Sequence, residues 1–223
     1  GTSVTFHHPL RVKPATSVLP GIMAYSVEGT PADSVLLALR LNLTNGIPDM
    51  VISGINDGAN LGDDVFISGT VGAAVQGYLN GIPAISVSAA SASVTGFGPA
   101  ARIARLLVDG LVQQNTPGGM LLNVNLPDVP ADKITDLMLT RLAHRTCTDG
   151  IREEHDGRRK YYWHTRAPVQ WQFEEGTDHW AIQMGAVSIT PLITRPRHSQ
   201  RTSLDRAVKY ATEQLHAICP AGE

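Results

Sequence analysis

The densest run of chemically useful side chains lies between positions 53 and 70: Ser53-Gly-Ile-Asn56-Asp57-Gly-Ala-Asn60-Leu-Gly-Asp63-Asp64-Val-Phe-Ile-Ser68-Gly69-Thr70. Asn56, Asp57, Asn60, Asp63 and Asp64 carry hard oxygen donors suited to Mg²⁺ or Mn²⁺. Ser68, Gly69 and Thr70 offer two hydroxyls. If a helix starts there, they also offer unpaired backbone N–H groups at a positive dipole end, which suits a phosphate. An EF-hand is excluded, because Ala59 and Leu61 stand where that loop needs oxygen ligands. The competing reading is a Gly/Asn/Asp turn whose side chains satisfy its own backbone, and residue types alone leave the two readings even.

Other signals are weaker. Gly96-Phe-Gly98-Pro-Ala-Ala101 fits G-x-G-x-x-A, but it stands well beyond the apolar run ending at Ser88. No acidic residue follows it at the expected distance of about 20, so a dinucleotide-dependent oxidoreductase lacks its fingerprint. No G-x-S-x-G elbow is present, which disfavours an α/β serine hydrolase. Cys147 and Cys219 lack zinc-ligand spacing and suggest no disulfide framework, so a reducing cytoplasm is the expected setting. His7-His8 reads as a surface pair, and His155 as part of a solvated charged loop around Arg152–Arg159. Trp163, Trp171 and Trp180 read as packing residues rather than base-stacking ones.

The 53–70 run must be positioned by the elements around it. Ile22–Val27 reads as a strand, and Thr30-Pro31-Ala-Asp33 as a helix start with Thr30 as N-cap, Pro31 at N1 and Asp33 in the first turn. Val35, Leu36, Leu39 and Leu43 give that helix an apolar stripe, ended by Asn45-Gly46. Asp49–Ser53 reads as a buried strand running into the glycine-rich loop. Gly69–Asn80 follows as a helix with Ser68 as N-cap and Gly81 past its end. Ile82–Ser88, Pro99–Gln114 and Met120–Asn125 continue as strand, helix, strand. Apolar strands alternating with helices predict a parallel sheet covered on both faces, and a ligand at its carboxyl edge.

After Pro130 the composition changes. Residues 131–223 hold 25 of the 38 charged residues, all three tryptophans and only five of the 21 glycines. The expected organisation is therefore an α/β core over 1–130 and a C-terminal extension over 131–223. In the extension, Lys133–Leu142 reads as a strand, and Lys160–Thr165 with Val169–Phe173 as a β-hairpin arm. Thr177–Gln183 reads as a short helix and Ala186–Ile193 as a returning strand. Ser203–Ile218 is an amphipathic helix with Leu204, Val208, Ala211, Leu215 and Ile218 on one face. The aromatic arm and this helix carry more apolar surface than the extension can cover, so at least a dimer is expected. A formal net charge of −2 leaves no basic footprint for a nucleic-acid polymer or an anionic membrane. No apolar run reaches the length of about 18 residues needed to span a bilayer.

Ser53-Gly-Ile-Asn-Asp-Gly-Ala-Asn-Leu-Gly-Asp-Asp64, followed by Ser68-Gly-Thr-Val71, resembles the signature of the SurE survival-protein nucleotidases. Gly1-Thr-Ser-Val-Thr5, Gly29-Thr-Pro-Ala-Asp33, Gly81-Ile-Pro-Ala84, Asn123-Val-Asn-Leu-Pro127, Gly176-Thr-Asp178 and Val187-Ser-Ile-Thr-Pro191 agree in order. The resemblance implies a Rossmann-like three-layer αβα core, with a C-terminal hairpin arm and helix used to form a homodimer or homotetramer. It also implies divalent-metal-dependent hydrolysis of nucleoside 5′- and 3′-monophosphates, with one Mg²⁺ or Mn²⁺ per subunit. Carried over residue by residue, it makes Asn56 a metal ligand, and places Asn60, Ser68, Gly69 and Thr70 at the phosphate. The family's remaining metal ligands, two aspartates of an N-D-D-G motif and a serine, precede the segment matching Gly1. By that comparison the chain starts about 40 residues late, the span of a strand–helix–strand unit, and the sequence is expected to be incomplete there. The catalytic aspartates are thus expected upstream of Gly1. The alternative reading is a non-catalytic phosphate- or nucleotide-binding oligomer whose metal centre is incomplete.

Overall fold

A computed structural model describes residues 2–91, 96–114, 119–146, 149–166, 170–192 and 198–218. Its first elements are β1 (Val12–Ala15), β2 (Ala24–Val27), α1 (Pro31–Arg40) and β3 (Val51–Asp57). A 3₁₀ turn over Gly62–Phe66 leads to α2 (Gly69–Leu79), β4 (Ala84–Ala89), α3 (Gly98–Gln113) and β5 (Leu121–Leu126). Then come β6 (Leu137–Leu139), β7 (Arg145–Thr146), β8 (Asp149–His155), β9 (Lys160–Arg166) and β10 (Gln170–Trp171). The last three are α4 (Asp178–Gln183), β11 (Val187–Pro191) and α5 (His198–Ile218).

The apolar runs pair as parallel strands, β3 beside β4 and β4 beside β5. Beyond β5 the order is β11 then β6, with β11 antiparallel to β5 and parallel to β6. The sheet is therefore parallel-rich with one antiparallel joint, not wholly parallel. Side chains alternate across it, as the pleat requires. Ile85, Val87, Leu122 and Val124 point to the face covered by α3 and α5, where they meet Ile103, Leu107, Leu204 and Val208. Ala84 and Leu121 point to the α2 face and meet Ala74. Their same-face neighbours Ser86, Ser88, Asn123 and Asn125 are all fully buried. Helices on both faces make this the three-layer αβα arrangement of Rossmann-like folds. Residues from both sides of position 130 contribute to it.

Three local expectations change. First, β2 does not enter the sheet; it pairs with β1 as a separate antiparallel ribbon. Second, α1 stops at Arg40, well before Asn45-Gly46, because Asn42 already takes a left-handed φ of 52°. Leu43 thus lies outside the helix, and Val35, Leu36 and Leu39 are only half-buried. Among the described residues β3 forms the edge of the sheet, and Ile52 is 51% exposed there. Third, the strand expected over Lys133–Leu142 shrinks to β6.

The hairpin arm exists, but its partner strand is different. β9 pairs with β8 over the register His155↔Lys160 to Asp149↔Arg166, while β10 pairs with β7. Turn chemistry decides the register: Asp156 Oδ1 accepts the N–H groups of Arg158 and Arg159, and Gly157 adopts φ 88°. The charged run around His155 is therefore a strand. Its charges pair across the ribbon, Lys160 with Glu153 at 2.9 Å, and Trp163 Nε1 donates to Glu154 at 3.1 Å.

Candidate active site

The site begins where β3 leaves the sheet. Ser53 is opposite Ser86 and Asn56 opposite Ser88, so Gly54 and Ile55 together face Val87 alone. This bulge bends the strand end and re-aims Asn56. Only glycine fits at position 54: φ is 134°, and a Cβ there would lie 2.4 Å from the Val87 carbonyl oxygen. Asn56 Nδ2 then donates to the Gly58 carbonyl at 2.7 Å, which orients the amide. Its Oδ1 accepts the Thr70 hydroxyl at 3.2 Å.

Thr70 sits in the first turn of α2. Ser68 caps that helix, its Oγ accepting the Val71 N–H at 3.2 Å. The Gly69 and Thr70 N–H groups precede the first intrahelical bond, which Gly72 donates to the Ser68 carbonyl at 2.9 Å. A cleft of about 480 Å³ opens beside them, lined by Asn56, Thr70, Ser53, Gly54, Ser34 and neighbouring residues. Strand end, helix N-terminus and cleft thus converge, and the fold joins Asn56 to Thr70 directly.

Asn60 lies deeper and does not line this cleft. It is 8% exposed, and its Nδ2 donates to Ser88 Oγ at 2.7 Å. Two residues on, the Gly62 N–H donates to Asp178 Oδ2 at 2.8 Å. Gly62 is itself required there, since a Cβ would come within 2.4 Å of the Ala143 carbonyl oxygen. Asp178 also accepts the N–H groups of Ala143 and His179, each at 2.8 Å. Burial pushes its carboxyl above the ordinary carboxylate range, against the lowering effect of those three donors. His179 stacks on Trp171 with ring centroids 4.6 Å apart, and desolvation lowers its pKa.

Asp63 faces His144, Oδ2 to Nδ1 3.6 Å, and among the described residues no three His, Cys, Asp or Glu side chains form a group. Asn56 Oδ1 fits a divalent cation as one hard oxygen ligand, whereas Mg²⁺ and Mn²⁺ take about six. The described residues alone do not complete such a set. The weaker signals stay apart from the site: His7 and His8 are exposed, His155 pairs with Glu153 at 2.9 Å, and Gly98 starts α3. Cys147 and Cys219 lie outside the described residues.

Four residues that hold the site carried no role in the sequence reading: Ser88, Asn123, Asn125 and Asp178. Three of them, Ser88, Asn123 and Asn125, carry a signal in the sequence, as polar residues at every second position of otherwise apolar strands, Ser86-Val-Ser88 and Asn123-Val-Asn125. Burying such side chains in a sheet is unfavourable unless they are hydrogen-bonded.

Known proteins resemble this chain in sequence and in overall fold. Residues 1–149 match the family model described as "Survival protein SurE". A relative named "5'-nucleotidase SurE" from Dehalococcoides mccartyi is 44% identical over 206 residues, covering 87% of this chain and 74% of the relative. A protein of the same name from Nitrosococcus oceani is 47% identical over 191 residues, covering 85% and 74%. The crystal structure of a SurE protein from Aquifex aeolicus superposes with a TM-score of 0.70 at 34% identity, covering 94% of this chain and 82% of that one.

Proposed function

The chain belongs to the SurE survival-protein family, and on that footing we propose that it hydrolyses nucleoside 5′-monophosphates to nucleoside and inorganic phosphate. The reading extends to 3′-monophosphates and to dependence on one Mg²⁺ or Mn²⁺ per subunit. One observation supports it most: Thr70, at the N-terminus of α2, is hydrogen-bonded to Asn56 at the end of β3. A phosphoryl group placed there would face the Thr70 hydroxyl, which lines the cleft, and the positive end of the helix dipole with its free Gly69 and Thr70 N–H groups, while the buried Ser68 hydroxyl caps Val71. These groups bind and orient the ester, which is the protein's main task in a positioning-dominated phosphoryl transfer. Asn56 would hold the metal through its amide oxygen, which the Thr70 and Gly58 contacts keep in place. When bound, the metal supplies charge neutralisation at a phosphoryl oxygen and an activated water.

The test is phosphate release from AMP in a Mn²⁺ titration, with EDTA as the control. Release that rises with Mn²⁺ and stops in EDTA supports the proposal. Release that ignores Mn²⁺ removes the metal requirement, and no release from any nucleoside monophosphate removes the hydrolase. A second reading, binding without turnover, draws on the lining of the cleft, where among the described residues Asn56 is the one amide and no carboxylate is present. Calorimetric AMP binding with no hydrolysis selects it.

The exposed arm of β8 and β9 supports assembly into a homodimer or homotetramer. Ile151 is 67%, Tyr162 60% and Trp163 56% exposed on a two-stranded ribbon. Isolated ribbons of this kind are marginal in water without a packing partner. The reading also places the enzyme in the cytoplasm. Among the described residues no helix is long and apolar enough to cross a membrane.

A further inference from the structure

We propose that Asn125 and Asn123 of β5, with Ser88 of β4, are positioning residues for the reaction. They clamp the backbone of Asn60 and thereby fix the loop between Asn56 and Ser68; this rests on the hydrolase reading above. Asn125 Oδ1 accepts the Asn60 N–H at 2.8 Å, and Asn125 Nδ2 donates to the Asn60 carbonyl at 3.1 Å. Asn123 Nδ2 donates to that same carbonyl at 2.8 Å. Asn123 is itself held by Ser86, whose hydroxyl donates to its Oδ1 at 2.9 Å. The Asn60 side chain donates to Ser88 Oγ at 2.7 Å. Both polar ends of each asparagine amide are thus committed, so neither can turn over without losing its partners.

This arrangement differs from ordinary core packing. On the opposite face of the same two strands, Ile85, Val87, Leu122 and Val124 pack without polar groups. On this face four fully buried polar side chains stand in a row across β4 and β5. Burying them is unfavourable unless each is bonded. Outside the two strands, and among the described residues, their hydrogen bonds converge on Asn60. The two asparagines act as a short extra rung of sheet, satisfying the carbonyl and N–H of a loop residue as a neighbouring strand would. Asn60 is joined by a few residues of chain to Asn56 on one side and to the α2 N-terminus on the other. A loop so pinned has little room to carry Asn56 away from Thr70. Misplacement by about 1 Å is enough to cost a large factor in rate.

The experiment compares the full wild-type chain with Asn125→Ser, reading kcat and KM for AMP and amide hydrogen exchange. The expected result is a kcat lowered about tenfold or more with KM within about twofold. Exchange should accelerate over residues 58–64 and stay unchanged over 73–77 in α2. Ser88→Ala, which removes one bond to Asn60, should move both readouts the same way by a smaller factor and serves if Asn125→Ser does not fold. Unchanged loop exchange overturns the proposal, as does an unchanged kcat in an otherwise active protein. So does exchange accelerated equally across α2, which marks general loosening. If the wild-type chain releases no phosphate, the hydrolase reading fails; the exchange data then decide alone whether the clamp holds the loop.

Discussion

Asp178 Oδ2 accepts the N–H of Gly62 at 2.8 Å across 116 residues of chain. Its other oxygen accepts Ala143 at the same distance, so one carboxylate ties the candidate phosphate loop to two segments of the C-terminal half. Asp178→Ala leaves three amides without an acceptor. A loss of about 3 kcal/mol or more follows, read as a lower urea midpoint. Asp178→Asn keeps one accepting oxygen and should lose less. Equal midpoints for the alanine variant and wild type would sink this account.

Asp33 gives a pH signature. Desolvation raises its pKa, but hydrogen bonds from Thr5 and Thr30 outweigh that and hold it at about 2, against an ordinary 3.8. A carboxylate with a lowered folded pKa stabilises fully above its unfolded value. That contribution is lost as pH falls through the folded one. Wild type should therefore lose stability progressively between about pH 4 and about pH 2, and Asp33→Asn should lose less over that window. Urea midpoints measured across it decide the matter; parallel curves for the two proteins contradict the assignment.

Asn56→Ala removes the amide that meets Thr70 without disturbing the core. Hydrolysis of AMP and calorimetric Mn²⁺ affinity should each fall at least about tenfold, while Tm moves by about 3 °C or less. A variant with full activity and unchanged Mn²⁺ affinity would remove Asn56 from the metal.

Tyr162→Ser combined with Trp163→Ser takes the largest exposed apolar groups off the arm. Light scattering should show wild type as a dimer or tetramer and the double variant shifted toward monomer. A wild-type mass that stays monomeric at all concentrations ends the assembly proposal.

What could be read from the sequence was what local rules decide. The cap at Ser68 and the left-handed Gly81 bound α2 within one residue of expectation, because both act inside a single turn. Asn56, Ser68, Gly69 and Thr70 stand out as candidates for the same reason, being close in sequence and set at a strand end and a helix start, whereas Asn60, also a candidate, lies beneath the cleft. The clamp and the Asp178 tie were not, since their partners lie tens of residues away and no local preference encodes them. The hairpin shows the opposite case. Its turn signal, Asp156-Gly157, was visible in the sequence, but the aromatic runs after it pointed to a different pairing.

The placement of β11 between β5 and β6 has a consequence for biosynthesis. Synthesis delivers β3, β4, α3 and β5 long before the strand that flanks β5 and the helix that covers it. Ile85, Val87, Leu122 and Val124 stay uncapped by α5 until Leu204, Val208 and Leu215 have left the ribosome. At about 5–20 residues per second, that delay after β5 is complete lasts several seconds. During this interval the nascent chain presents an apolar sheet face and the open flank of β5, the surfaces most exposed to association with other chains.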